Sequence, residues 1–126
     1  MQIKFEKSLF IGSHSQESLS SINLGALLDR LMFWTDWGSP PKIEKSTLNG
    51  KERSAIVTTN VKQPCGITLG RRNKLIFWVD VRIYVVESVD YSGNNRKLLV
   101  QRGGMYFYGV TFTSSYLFIK DRKSVV

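Results

Sequence analysis

Met32-Phe33-Trp34-Thr35-Asp36 returns 44 residues later as Ile76-Phe77-Trp78-Val79-Asp80, and a weaker copy, Leu117-Phe118-Ile119-Lys120-Asp121, follows 41 residues beyond the second. The segments between the copies match as well. Ile43-Glu44 corresponds to Val86-Glu87, Asn49-Gly50 to Ser92-Gly93, Arg53 to Arg96 and Gly66-Ile67-Thr68 to Gly109-Val110-Thr111, each pair offset by 43 residues. One coincident tryptophan would mean little, but this many landmarks in one register mark a tandem repeat. A period of about 40–45 residues is that of a propeller or solenoid.

The rest of the pattern is strand and turn. Leu31 to Asp36 is a β run, broken by Asp36-Trp37-Gly38-Ser39-Pro40-Pro41 because neither proline can donate to a ladder. Lys42 to Leu48 follows, Asn49-Gly50 supplies a hairpin turn that tolerates positive φ, and Ser54 to Thr59 returns. Gln63-Pro64-Cys65-Gly66 reads as a second break, Arg71-Arg72-Asn73-Lys74 as a turn into Leu75 to Asp80, and Ile83 to Tyr91 as a long strand rich in β-branched residues. Lys97 to Gln101 closes that unit, and Phe107 to Thr113 with Tyr116 to Lys120 begins another.

Four short strands per unit is the count of a propeller blade. Gly66 to Gln101 is then one whole blade, Leu31 to Thr59 gives three strands of the blade before it, and Phe107 to Val126 gives the first two strands of a third. A ring needs at least about four blades, so these units do not close one alone. The expected fold is all-β: a partial propeller of about two to three four-stranded antiparallel blades over 31–126, with sequence repeats near 31–73, 74–115 and 116–126, after an irregular leader over 1–30. The leader rests on Ser13, Ser15, Ser18, Ser20 and Ser21, a polar stretch without strand alternation. Ile22 to Leu28 is an apolar run that suits an edge strand or a stub of helix equally.

These residues resemble a known family. Phe33-Trp34-Thr35-Asp36-Trp37-Gly38 with Pro41-Lys42-Ile43-Glu44 and Leu48-Asn49-Gly50, and then Phe77-Trp78-Val79-Asp80 with Val86-Glu87 and Asn95-Arg96, are similar to the YWTD repeats of low-density-lipoprotein-receptor-related proteins. The resemblance implies six-bladed propellers set between EGF-like modules, at the cell surface or endosomal membrane. It also implies extracellular protein ligands, and related propellers bind matrix or Wnt-pathway partners. It implies no enzyme and no cofactor. Val79 stands for the usual Thr, and Ile119-Lys120 for Trp-Thr, so the third copy departs furthest.

The motif residues have physical roles to play. Asp36, Asp80 and Asp121 are short acceptors able to hold backbone N–H groups and tie neighbouring strands or blades. Trp34 and Trp78 fill the space between sheets. Arg53 and Arg96 follow a turn glycine and are placed for fork-like pairing with carboxylate or carbonyl groups. A ligand face on the propeller's turns would draw on Trp37, Arg71, Arg72, Arg82 and Tyr84, since aromatics and arginine dominate interface hot spots.

Composition narrows the alternatives. Lys and Arg outnumber Asp and Glu 18 to 10, a net charge of +8, but the basic residues are scattered and their densest groups fall at turns. That is a solvated surface rather than a nucleic-acid patch. Cys65 is the one cysteine, so no internal disulfide framework exists, and an inert thiol is the plainer reading than a reactive one. His14, the one histidine, lies outside the repeats and offers them no pH switch. No HExxH, CxxC, GxSxG or P-loop pattern occurs. No run approaches the roughly 18 apolar residues of a membrane span, and the opening residues, with Lys4, Glu6 and Lys7, make a poor secretory signal. The expected function is a receptor segment acting as a non-catalytic protein-binding scaffold, completed by remaining blades or EGF-like modules. The alternative is a truncated product with no receptor activity of its own, whose edge strands pair with other chains.

Overall fold

In the computed structural model the backbone is described for residues 2–10, 19–23 and 30–124 except 114, and side chains for 30–121 except 114. The described residues form eleven strands: β1 (Gln2–Phe10), β2 (Leu19–Asn23), β3 (Leu31–Asp36), β4 (Lys42–Thr47), β5 (Ser54–Val57), β6 (Pro64–Gly70), β7 (Leu75–Asp80), β8 (Val85–Asp90), β9 (Lys97–Gln101), β10 (Phe107–Thr113) and β11 (Tyr116–Ser124). They form three sheets, ordered β2-β3-β4-β5, β6-β7-β8-β9 and β1-β11-β10. The fold is all-β, and the first two sheets are four-stranded antiparallel blades.

The repeated phrase forms the second strand of each blade. In β7 the residues Ile76 to Asp80 are all buried. Such a run is covered on both faces, where ordinary half-exposed strands alternate. One face carries Ile76 and Trp78 into a core shared with Phe33, Ile43 and Val57 of the first sheet. The other carries Phe77 and Val79 into a core shared with Phe107, Val110, Leu117 and Ile119 of the third. The second sheet is thus the filling of a three-layer stack. Apolar burial at about 25 cal/mol per Å² of area removed from water is what fastens each layer.

Close backbone approach needs glycine at two points. A methyl group on Gly66 of β6 would stand 2.9 Å from Gly109 Cα and 3.0 Å from the Tyr108 carbonyl oxygen of β10. Gly93 has φ +87°, and a methyl group there would meet the Ile56 carbonyl oxygen at 2.7 Å. The same residue type therefore serves a strand-to-strand approach in one case and a turn seated on the neighbouring sheet in the other.

Three sequence expectations change. The leader is not wholly irregular: β2 completes the first sheet by pairing with β3, Ile22 opposite Trp34 and Asn23 opposite Phe33. Its register is carried by main-chain hydrogen bonds, which leave no mark in a serine-rich sequence. β1 pairs with β11 in parallel, Gln2 opposite Tyr116, so the third sheet is three-stranded and mixed rather than antiparallel throughout. The expected irregularity at 11–18 and 24–29 lies outside the described residues. Pro64 and Cys65 do not break a strand but open β6, where a first residue needs no ladder donor. The sheets divide at 58–63 and 102–106, so the sequence repeat and the blade are out of phase: each of the first two repeats supplies the last three strands of one sheet and the first repeat-derived strand of the next.

Candidate functional site

Across β3 and β4, Trp34 lies opposite Glu44. The Trp34 indole N–H donates to Glu44 Oε2 at 3.1 Å, and Arg53 forks onto the same carboxylate through Nε at 2.9 Å and Nη2 at 2.8 Å. The guanidinium carbon stands 5.4 Å from the Trp34 ring centroid. The second sheet repeats the unit. Glu87 lies opposite Trp78, Arg96 binds it through Nε at 3.0 Å and Nη2 at 2.9 Å, and the guanidinium again stands 5.4 Å over the indole. A planar fork that grips a carboxylate and stacks on an aromatic face is a task for arginine, not lysine. The Glu44 pairing holds the Arg53 guanidinium above its ordinary pKa, the hydrogen bond first and the charge second.

The aspartates that close each phrase sit at loops. Asp80 is fully buried and accepts four backbone N–H groups, from Lys62 at 2.8 Å, Gln63 at 3.1 Å, Arg82 at 3.0 Å and Ile83 at 3.4 Å. The first two belong to the link from the first sheet and the last two to the β7–β8 turn. Asp36 accepts from Gly38 N–H at 2.8 Å and pairs with Lys42 at 3.3 Å. Asp121 accepts from Tyr106 N–H at 3.2 Å in the link between the second and third sheets. Ile119, in the tryptophan position of the third copy, is fully buried against the second sheet, so the weaker phrase still fills the interlayer space.

The five residues named for a ligand face do not share one. The alternation of strand directions places 37–41, 81–84 and 102–106 at one end of the stack and 48–53, 71–74 and 91–96 at the other. Trp37, Arg82 and Tyr84 belong to the first end, Arg71 and Arg72 to the second. At the first end Tyr84 takes φ +60°, accepts the Arg102 N–H on its carbonyl at 3.1 Å, and stands edge-on to the exposed Tyr106 ring at 6.4 Å. At the second end Arg71 and Arg72 are exposed.

Glu44 and Glu87 were missed as the arginines' partners, although their own 43-residue offset was a usable signal. Asp80 lies opposite Val85, and Glu87 is taken by Arg96. Cys65 lies with Sγ 3.7 Å from the Tyr108 carbonyl oxygen, and burial pushes its thiol up to about 12. That is an unreactive thiol near neutrality. Among the described residues no group of three His, Cys, Asp or Glu side chains could hold a metal ion, and no helix is long and apolar enough to cross a membrane.

With that geometry in place, the likenesses to known proteins become informative. Residues 30–69 match the family model of the low-density lipoprotein receptor repeat class B. The chain carries YWTD repeats of the LDL-receptor-related kind. Vitellogenin receptor Yl of Drosophila melanogaster is 33% identical over 91 residues, 72% of this chain, and the vitellogenin receptor of Solenopsis invicta is 27% identical over 93 residues, 74% of this chain. Human low-density lipoprotein receptor-related protein 5 is 33% identical over 82 residues, 65% of this chain. The chain spans about 5% of the length of each of these relatives. Among solved structures, a chain in the crystal structure of a nidogen/laminin complex superposes with a TM-score of 0.64 at 29% identity, over 68% of this chain and 32% of that one. The relatives thus carry the names of receptors and of a receptor-related protein, and the structural likeness is to a chain of a nidogen/laminin complex.

Proposed function

We propose that the chain is a segment of a YWTD propeller from an LDL-receptor-related receptor, and that it acts as a non-catalytic scaffold for an extracellular protein ligand. The Trp34–Glu44–Arg53 and Trp78–Glu87–Arg96 units and the three aspartates serve to hold blades and loops rather than to contact ligand. The observation that carries the reading is the end of the stack organised by Asp80. A buried carboxylate gripping four N–H groups fixes the 62–63 and 82–83 loops. The second of these presents Arg82 and Tyr84, and Tyr106 of the link to the third sheet, held through its N–H by Asp121, stands edge-on to Tyr84. Aromatic and arginine side chains held in one conformation are what interface hot spots are made of. In the whole receptor this segment sits among further blades and EGF-like modules at the cell surface or on endosomal membranes.

A matrix-type propeller is the second reading, favoured by the 29% identity to a chain of the nidogen/laminin complex. Surface plasmon resonance of the immobilised, folded chain against purified vitellogenin and purified laminin separates the two. Saturable binding of vitellogenin, weakened by Arg82→Ala with Tyr84→Ala, supports the receptor reading, and preference for laminin supports the matrix one. No saturable binding of either by a chain with a cooperative unfolding transition would favour a product without binding activity of its own.

A further inference from the structure

The seam between the second and third sheets opens, at the end opposite Asp80, into a groove of about 730 Å³ lined by Leu69, Arg71, Arg72, Asn73, Phe112 and Thr113. Its floor is built. The Phe112 ring stacks on Phe77 with centroids 5.1 Å apart, and its backbone N–H donates to Thr68 Oγ1 at 3.2 Å. Gly70 makes room for it, since a methyl group at that position would meet Phe77 at 3.2 Å and Phe112 at 3.3 Å. The wall is a basic turn, and the described residues of the groove lining include no carboxylate.

Two features argue that this turn is not dictated by the fold. Four residues, 71–74, separate β6 from β7, whereas in the adjacent sheet β10 ends at Thr113 and β11 begins at Tyr116. The longer connection adds two adjacent arginines. Unlike Arg53 and Arg96, whose guanidinium groups are committed to glutamates, Arg71 and Arg72 have no side-chain hydrogen bond or ion pair among the described residues, and both are exposed. Two neighbouring guanidinium forks beside a half-buried phenyl ring suit a carboxylate flanked by an apolar side chain.

We infer that this groove binds an acidic segment of a protein ligand, with Arg71 and Arg72 pairing with its carboxylates and Phe112 receiving an apolar side chain next to them. The inference rests on the reading of the chain as a protein-binding segment, and it adds a second contact surface on the end opposite Arg82 and Tyr84.

The test is a titration of the whole chain, ¹⁵N-labelled at arginine, with the peptide acetyl-Asp-Phe-Asp-amide and with its Asn-Phe-Asn counterpart, following the arginine Nε–H resonances. Saturable shifts confined to Arg71 and Arg72 are expected, with affinity reduced roughly 10-fold or more for the Asn peptide and for R71Q/R72Q, as loss of charge-assisted pairs requires. R82Q is expected to bind the Asp peptide as the wild type does. Unchanged affinity in R71Q/R72Q, equal affinity for the two peptides, or uniform unsaturable shifts of every arginine would overturn the site. So would tighter, steeply salt-dependent binding of a DNA duplex at the same resonances, which would make it a nucleic-acid surface. Loss of peptide binding in R82Q but not in R71Q/R72Q would overturn this groove while leaving the scaffold reading standing.

Discussion

The first and second sheets carry the same three-residue unit in the same geometry, yet the two are seated differently. In both, the arginine stands 5.4 Å over its indole and forks onto a glutamate. Arg96 goes further: Nη1 donates to the Thr59 carbonyl at 2.6 Å and Nη2 to the Asn60 carbonyl at 2.9 Å, both in the link from the first sheet. Among the described residues Arg53 makes no such bonds to backbone carbonyls, and its side chain is 60% exposed against 24% for Arg96. The turn glycines differ in parallel. Gly93 abuts Ile56, whereas no described residue lies within 4 Å of a methyl group at Gly50. Even the tryptophans part company. Trp78 belongs to the core between sheets and makes no hydrogen bond with its N–H, while Trp34 belongs to neither core and gives its N–H to Glu44. One local motif thus has two energetic meanings, and the neighbouring sheet decides which.

Substitution in matched pairs sharpens that contrast. The largest effect is expected at the tryptophans. Trp78→Ala should destabilise by about 3–5 kcal/mol, as large aromatic truncations in cores do, and Trp34→Ala by at least about 1 kcal/mol less, read from urea midpoints at constant m. Equal losses would break the comparison. At the turns, Gly93→Ala combines left-handed backbone strain with a clash against backbone, for about 2–4 kcal/mol, while Gly50→Ala carries the strain alone, about 1 kcal/mol. Thermal denaturation of the two variants checks this, and a Gly50→Ala cost as high as that of Gly93→Ala would show that Gly50 also faces a packed neighbour.

The smallest effect is a pH dependence. Asp90, which closes β8, has its carboxyl held below the ordinary 3.8 by the backbone N–H of Asn94 first, with the Asn95 side chain and the Ser92 and Gly93 N–H groups adding to it. A depressed carboxyl contributes stability that is present above the unfolded value and lost as pH falls through the folded one. Asp90→Asn should therefore cost stability near neutrality and show less of a decline than the wild type below about pH 4. Parallel acid profiles of the two proteins would remove Asp90 from the explanation.

The middle of the molecule was readable because both of its signals are carried by side chains. The 43-residue offsets of Glu44 and Arg53 onto Glu87 and Arg96 encode contacts each sheet makes within itself, and the run Ile76 to Asp80, buried throughout, belongs to a strand covered on two faces. β2 escaped notice because an inner strand is held by main-chain bonds, and Leu19-Ser20-Ser21-Ile22-Asn23 lacks the alternation that side-chain packing would leave. The parallel pairing of β1 with β11 joins the two ends of the described chain, and no local pattern specifies so distant a partner. The named ligand residues were legible as types but not as a place: Arg71 and Arg72 fall at one end and Trp37, Arg82 and Tyr84 at the other, because only strand direction assigns a turn to an end.

Stacking of consecutive sheets through the two faces of β7 is tested most directly by nuclear Overhauser contacts to methyl-labelled Ile, Leu and Val in the intact chain. The Trp78 indole protons should see methyls of Ile43 or Val57 in the first sheet, and the Phe77 ring those of Val110 or Leu117 in the third. If both rings saw methyls of their own sheet alone, or if their partners were exchanged, the layered arrangement of tandem units would be wrong.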